Sequence, residues 1–344
     1  MRLTTRQKIL ISIVLVVVVT ISIPVYLWQQ RAAVTPQLLI YGPRGISDLG
    51  YAAAKAFSSK YGINATFVHF GMGSIEIVNK AIEESKDPKA DLIFAIPEFY
   101  ATPIIEKGIL EKYAPPNIGE IPQAKIWDKT GHIMPLDEGY IMVLYNSTTL
   151  QKLNLPAPET LDDLLKPEYK GIVIYNSPVT SGTGLSVLTW ILTEKGEAGG
   201  FDYLSKLKAN IAPVGYPSGF SSLVDAMRRG RAAIAISFTS HVVDSATPDM
   251  RTKGTTAFVY REGTALVKGA KNAEAAKKFI EFMASKEGQD LVDPKNYMYP
   301  VRDDAVVTNL KNAPKPQKIV AYDWALGGKA DVWRERWRTQ VTGA

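Results

Sequence analysis

Two similar α/β lobes behind a membrane-spanning helix are what this sequence predicts, and three observations lead there. Strand-like apolar runs alternate with helical stretches from residue 38 onward, an order that builds a mostly parallel sheet through right-handed crossovers. Two of these runs, residues 90–96 and 232–238, look like counterparts, each a buried strand after a basic or polar helix end. Ahead of them all stands a run of 20 uncharged, mostly apolar residues, 9–28, about the length that spans a bilayer as a helix.

The membrane segment comes first. Arg2, Arg6 and Lys8 precede it and Arg31 follows, which places the N-terminus inside and the body outside. Tyr26 and Trp28 fall where an interfacial aromatic belt would lie. The run is longer than the apolar core of a cleaved signal peptide, and Ala32-Ala33 matches a cleavage site poorly, so residues 1–31 read as an uncleaved signal anchor. Residues 29–37 read as a linker. Sequons at Asn64 and Asn146 are compatible with export.

In the body, residues 38–41 form a short strand, followed by the turn Gly42-Pro43-Arg44-Gly45 and a helix over 48–61. A second strand covers 65–70. Gly71-Met72-Gly73-Ser74 then opens a helix to about residue 85, and 91–96 make a third strand. In such sheets ligands bind beyond the carboxyl ends of the strands, where both turns lie. Two possible extended pieces flank Asp137-Glu138-Gly139. A second α/β run starts at Gly171 with a buried strand over 171–175, and helices over 200–208 and 221–229 follow, then a strand over 232–238. A return crossing spans 256–268. An amphipathic helix covers 273–291, and the tail from Trp324 to Trp337 reads helical, its tryptophans packing.

Between the strand and helix of the second run lies Asn176-Ser177-Pro178-Val179-Thr180-Ser181-Gly182-Thr183-Gly184. A loop rich in hydroxyls and glycines that ends at a helix start offers backbone N–H groups and the positive end of a dipole to an anion or a polar ligand. The plainer reading is a turn whose Ser and Thr cap the helix.

Composition narrows the chemistry. The 344 residues suit about two domains, and 46% apolar with 22% charged residues describes a folded chain. The absence of cysteine excludes disulfides, thiolate metal sites and a cysteine nucleophile; the three histidines, His69, His132 and His241, have no zinc-ligand spacing. Four of the positive charges behind the net +6 lie in the first 31 residues, so the body is nearly balanced and offers no nucleic-acid site.

Several segments then fall into one order: Pro135-Leu136-Asp137-Glu138-Gly139-Tyr140 followed by Val143-Leu144-Tyr145; Pro178 to Leu185 with Trp190; Ser237-Phe238-Thr239-Ser240; the helix over 276–283; Asn296-Tyr297-Met298-Tyr299-Pro300-Val301; and Trp333-Arg334-Glu335-Arg336-Trp337. Together they resemble the solute-binding proteins of ABC importers, most closely the thiamine-binding members. The likeness covers residues 125–340 well and the first lobe loosely. It implies a two-lobed, type 2 periplasmic-binding-protein fold with hinge strands near 137–145 and 256–268. Its divisions would be the anchor 1–31, a first lobe over 37–140, a second over 141–252, and 253–344 returning to lobe one with the C-terminal helices.

The resemblance further implies a monomeric receptor without cofactor, held at the outer face of the membrane. It would close over thiamine or thiamine phosphate and deliver it to permease and ATPase subunits. Tyr216 and Tyr297 stand where the family has tryptophans that sandwich the ligand, with Phe220, Phe238 and Ser237 nearby. Thr180, Ser181, Thr183 and the N–H groups of Gly182 and Gly184 would meet its hydroxyethyl or phosphate end, and Asp137 would take the aminopyrimidine or hold the hinge. Two departures stand out: Gly71-Met72-Gly73-Ser74 replaces an acid, and Pro43-Arg44 replaces an aromatic. Arg44 and Ser74, both beside helix starts, suit an anionic group. Alternatives on the same scaffold are a ferric ion, a phosphonate or another oxyanion. Tyr297 and Tyr299 are not adjacent, unlike the tyrosine ligands of iron-binding relatives. An exported enzyme using His132, Asp137 or Glu138 lacks any supporting nucleophile, metal or phosphate-loop motif.

Overall fold

The computed structural model describes residues 37–326 and 328–343, apart from the Phe220 side chain; the predicted anchor over 1–31 lies outside them. Among the described residues no helix is long and apolar enough to cross a membrane.

The first lobe opens as its sequence predicts, with β1 (Gln37–Tyr41), α1 (Ser47–Tyr61), β2 (Asn64–Val68), α2 (Ser74–Glu83) and β3 (Leu92–Pro97). β1 lies parallel to β2 on one side and β3 on the other. All six residues of β3 are buried, as its unbroken apolar run requires of a strand covered on both faces. Two short elements, α3 (Thr102–Glu106) and β4 (Leu110–Glu111), lead to β5 (Met134–Asn146).

The second lobe holds α4 (Ser147–Leu153), β6 (Val173–Ile174), α5 (Gly182–Lys195), α6 (Glu197–Leu207), α7 (Phe220–Arg228), β7 (Ile234–Phe238) and β8 (Met250–Arg251). The chain returns through β9 (Thr256–Val267) and adds α8 (Ala273–Ala284), α9 (Lys286–Gln289), α10 (Val292–Asn296), β10 (Tyr299–Pro300), β11 (Lys318–Val320) and α11 (Ala330–Arg336). A π-helical stretch, Trp337–Thr342, continues α11.

The sheet order β2-β1-β3-β9-β5-β7-β6 runs through both lobes, which makes the architecture a two-lobed α/β fold on shared central strands. β5 pairs with β9 from Met134 to Ile141, then with β7 from Ile141 to Tyr145. β9 in turn gives its last residues to β3 and its first to β11. Each long strand therefore serves one lobe with each half.

Several readings differ from the sequence expectation. The mostly parallel sheet is mixed, because β9 and β5 run antiparallel to each other and to β3 and β7 on either side. The helical tail from Trp324 to Trp337 divides into a single turn, Trp324–Leu326, and α11 from Ala330. The two pieces suggested around Asp137-Glu138-Gly139 are one 13-residue strand. Gly139 does not break it because Met298 fills the missing side-chain volume: a Cβ there would lie 2.5 Å from the Met298 sulfur. The strand over 171–175 shrinks to Val173–Ile174. The helix over 273–291 is interrupted at Ser285, whose extended backbone and Oγ, accepting from Gly288 N at 3.4 Å, start α9 afresh. Elsewhere the apolar faces pack as predicted. Phe57 of α1 and Phe279 of α8 meet edge-on at 5.2 Å, and Phe279 reaches Phe94 of β3 at 6.0 Å.

Candidate functional site

Two turns at the carboxyl ends of β1 and β2 shape the first lobe's rim. Gly42 N donates to Val68 O (3.2 Å) and Arg44 N to Met72 O (2.8 Å), which ties the turns together. Phe70 (φ 50°) and Gly71 (φ 76°) take left-handed backbone and reverse the chain into α2. Gly73 N donates to Glu76 Oε2 at 2.7 Å, half of a capping box. The first intrahelical bond is Ile77 N to Gly73 O, so the N–H groups of Ser74 and Ile75 precede it and point out of the helix start. Ser74 is half-buried; Arg44 is exposed.

The second lobe answers with the loop before α5. Asn176, fully buried, donates from Nδ2 to Pro217 O (3.2 Å) and Gly219 O (2.8 Å). Ser177 N reaches Pro217 O (2.9 Å), and the Thr180 hydroxyl reaches Ser218 O (3.3 Å). Ser181 is the helix cap, its Oγ accepting from Gly184 N at 3.3 Å, so the capping reading holds for that hydroxyl. The helix begins at Gly182, three residues before the apolar run suggested, and Leu185 N to Ser181 O is its first bond. Gly184 admits no side chain, since a Cβ would lie 2.3 Å from Asn176 O. Every residue from Gly184 to Leu192 is buried, which fixes the depth at which the helix start sits.

The two helix starts meet. A Cβ at Gly182 would lie 3.7 Å from Ser74 Oγ and 3.6 Å from the Tyr260 hydroxyl, and one at Gly73 would lie 3.8 Å from Thr180 O. The first turns of α2 and α5, each carrying the positive end of a helix dipole, thus lie side by side, a setting that suits an anion.

Below lies an acidic floor. Tyr260 of β9 donates to Glu262 Oε1 at 2.7 Å, and Ser74 also bonds the phenol. Glu262 pairs in register with Asp137 of β5, so both carboxyls project to one face of the sheet. Asp137 is fully buried and accepts from Asn296 Nδ2 at 2.8 Å, while its Oδ1 has no hydrogen-bond partner among the described residues. Burial raises the Asp137 carboxyl to about 7, with Glu138 adding to the rise, and burial lifts Glu262 well above the usual carboxylate range, with Asp137 adding to it. Sequence reasoning did not single out Tyr260 or Glu262. Nothing local in the sequence marks them; they become notable through the register of the return strand, which sets Glu262 opposite Asp137.

The remaining predicted residues are placed as follows. Phe238 ends β7 and meets Tyr260 edge-on at 5.2 Å, beside the floor. Ser237 is buried, its Oγ 3.1 Å from His241 Nε2. Thr183 is half-buried in the first turn of α5. Tyr297, 41% exposed, follows α10 in left-handed backbone (φ 53°). Tyr216 is half-buried, with edge contacts to Tyr175 (5.0 Å) and Trp337 (4.7 Å). No described contact joins Tyr216 to Tyr297. Phe220 begins α7, and its side chain lies outside the described part of the chain. Among the described residues no group of three or more His, Asp or Glu side chains stands where it could hold a metal ion.

Comparison with known proteins sets these features in context. The family profile described as bacterial extracellular solute-binding protein matches residues 87–326. The thiamine-binding periplasmic protein of Salmonella typhimurium is 24% identical over 301 residues, covering 85% of this chain and 89% of the relative. A putative 2-aminoethylphosphonate-binding periplasmic protein of the same species is 28% identical over 294 residues, covering 82% and 80%. Among solved structures, the periplasmic binding protein AfuA from Actinobacillus pleuropneumoniae, with exogenous fructose-6-phosphate bound, is similar at a TM-score of 0.79. It is 25% identical, and the match covers 90% of this chain and 99% of AfuA.

Proposed function

This chain belongs to the bacterial extracellular solute-binding proteins, and from that premise we propose that it is the membrane-tethered receptor of an ABC importer for a small phosphorylated solute, thiamine phosphate first. The observation that carries the reading is the meeting of the two helix starts at Ser74 and Gly182, where a phosphate would accept N–H and hydroxyl hydrogen bonds from both lobes. Thiamine phosphate adds a fixed thiazolium cation, which suits Asp137 and Glu262 once ionised and the faces of Phe238 and Tyr297. In this reading Arg44, Thr180, Ser181, Thr183 and Gly184 border the anion. Ser237 and Tyr216 support the second-lobe wall. β5 and β9 bend as the hinge between lobes 37–140 and 141–252, with 253–344 returning. The anchor over 1–31 would hold the receptor beside its permease and ATPase. A second reading, 2-aminoethylphosphonate, is favoured by the narrow gap between the helix starts, which a compact ligand fills with little opening.

The test is calorimetric titration of residues 33–344 with thiamine phosphate, thiamine, 2-aminoethylphosphonate and fructose 6-phosphate. Binding of thiamine phosphate at least tenfold tighter than thiamine is the expected result. Equal affinities would remove the phosphate from between the helix starts, and heat from none of the four would remove the proposal.

A further inference from the structure

The C-terminal chain alternates between the lobes. β11 pairs with the second-lobe half of β9, Lys318 opposite Thr256. Trp324 then turns to the first lobe: its Nε1 donates to Glu98 Oε1 at 3.0 Å, and its ring stacks on Trp127 at 5.9 Å. α11 touches both. The Tyr100 hydroxyl, just after β3, lies 3.1 Å from Asn79 Oδ1 of α2 and 3.4 Å from Asp331 Oδ1. Asp331 also accepts from Arg334 at 2.8 Å, and Arg334 donates its other nitrogen to Val179 O at 2.5 Å. Arg336 paired with Glu197 (2.9 Å) and Trp337 Nε1 donating to the Tyr175 hydroxyl (3.0 Å) fix the same helix to the second lobe.

We propose that Asp331 and Arg334 are positioning residues of the cleft, a clasp that holds the second-lobe loop against the first lobe when the cleft is shut. The chain of contacts Asn79–Tyr100–Asp331–Arg334–Val179 joins α2 to the loop before α5, the same two elements whose starts meet at Ser74 and Gly182. Its links are unequal. Arg334 to Val179 O is short and charge-assisted, so the loop and α11 move together. Tyr100 to Asp331 is long, and it is the link that parts when the lobes swing open. A shut cleft without ligand is then partly populated, and the apparent affinity scales with that population. The inference rests on the hinge-closure reading above and not on the identity of the ligand.

Because the chain contains no cysteine, a label pair can be placed cleanly at exposed Lys55→Cys in the first lobe and Lys208→Cys in the second. Interlobe distance distributions of residues 33–344 are recorded without ligand, by double electron–electron resonance, in otherwise unchanged protein and in Arg334→Ala, Arg334→Lys and Tyr100→Phe. Thermal unfolding verifies that each variant is folded. The expected result is a closed fraction at least threefold lower in Arg334→Ala and in Tyr100→Phe, with Arg334→Lys restoring part of it. Unchanged distributions in folded variants, or an unaltered protein that is open without ligand, would overturn the clasp. Should Arg334→Ala fail to fold, Tyr100→Phe decides alone, since it removes one hydroxyl and keeps the ring. Failure of thiamine phosphate to bind would sink the ligand reading and leave these distances as informative as before.

Discussion

Gly182→Ala separates binding from folding at one atom. The added methyl would sit 3.6 Å from the Tyr260 hydroxyl and 3.7 Å from Ser74 Oγ, ordinary van der Waals distances, so the fold accepts it. The residue opens α5, and alanine there gains up to about 1 kcal/mol of helix propensity over glycine, less at a first turn. Stability should therefore hold or rise slightly. Binding should not. The methyl fills the space from which a phosphate oxygen would approach the Gly182 N–H, and a hydrogen bond to a charged group is worth about 1.5–3 kcal/mol. At about 1.4 kcal/mol per decade that is a loss of roughly 10- to 150-fold in affinity for thiamine phosphate. Calorimetry and thermal unfolding on the same preparation read both quantities. An affinity within threefold of the unaltered protein, in a variant of unchanged stability, refutes the placement of the anion at the helix starts.

Gly184→Ala should behave oppositely: a Cβ 2.3 Å from Asn176 O has no room, and denaturant unfolding should show a loss of about 1–3 kcal/mol. The acid pair predicts a pH dependence. Folding raises the Asp137 carboxyl from its ordinary 3.8 to about 7, so across that window the folded form binds a proton that the unfolded chain has released. Stability is therefore full below the unfolded value and falls as pH rises towards 7, by about 1.4 kcal/mol for each pH step between the two values. Asp137→Asn should flatten the profile measured by unfolding between pH 4 and 8; a profile as steep as before would reject burial of this carboxyl as its source. Full-length chain should sediment with membranes and resist salt extraction, while a chain beginning at Ala33 stays in the supernatant; equal solubility would dismiss the anchor over 1–31.

Much of the scaffold was legible because burial writes itself into pattern. Leu92 to Pro97 is apolar without interruption and became a strand covered on both faces. Residues 47–61 carried a helix at nearly the predicted bounds, and the helix expected from about Leu185 began three residues earlier, at Gly182. What misled was local chemistry settled from afar. Gly139 looked like a break, yet Met298, distant in sequence, fills its place in a continuous strand. Ser285 sits inside an amphipathic pattern, and its hydroxyl chose to cap a new helix. The site divided in the same way. The loop from Asn176 to Gly184 announced itself through glycines and hydroxyls, and the turn at Ser74 through its departure from the resembling family. Tyr260 and Glu262 gave no local sign, because an acid on a strand becomes notable only when its register partner is another buried acid. Tyr216 is the reverse case, an aromatic in a turn whose edge contact to Trp337 depends on a segment more than a hundred residues later.

The shared central strands also govern when this protein can fold. Leu92 of β3 must wait for Leu266 of β9, because the first lobe's sheet is completed only by a strand made after the whole second lobe. Pairings of such separation form slowly, since the loop entropy is lost before the contacts repay it. A nascent chain thus carries an unfinished first lobe through most of its synthesis. For a member of an extracellular family such lateness is useful: the first lobe stays incomplete until nearly all of the chain has been made. The interruption of one lobe by the other works as a timer, and a circular permutant that makes the first lobe contiguous should fold sooner and export less well.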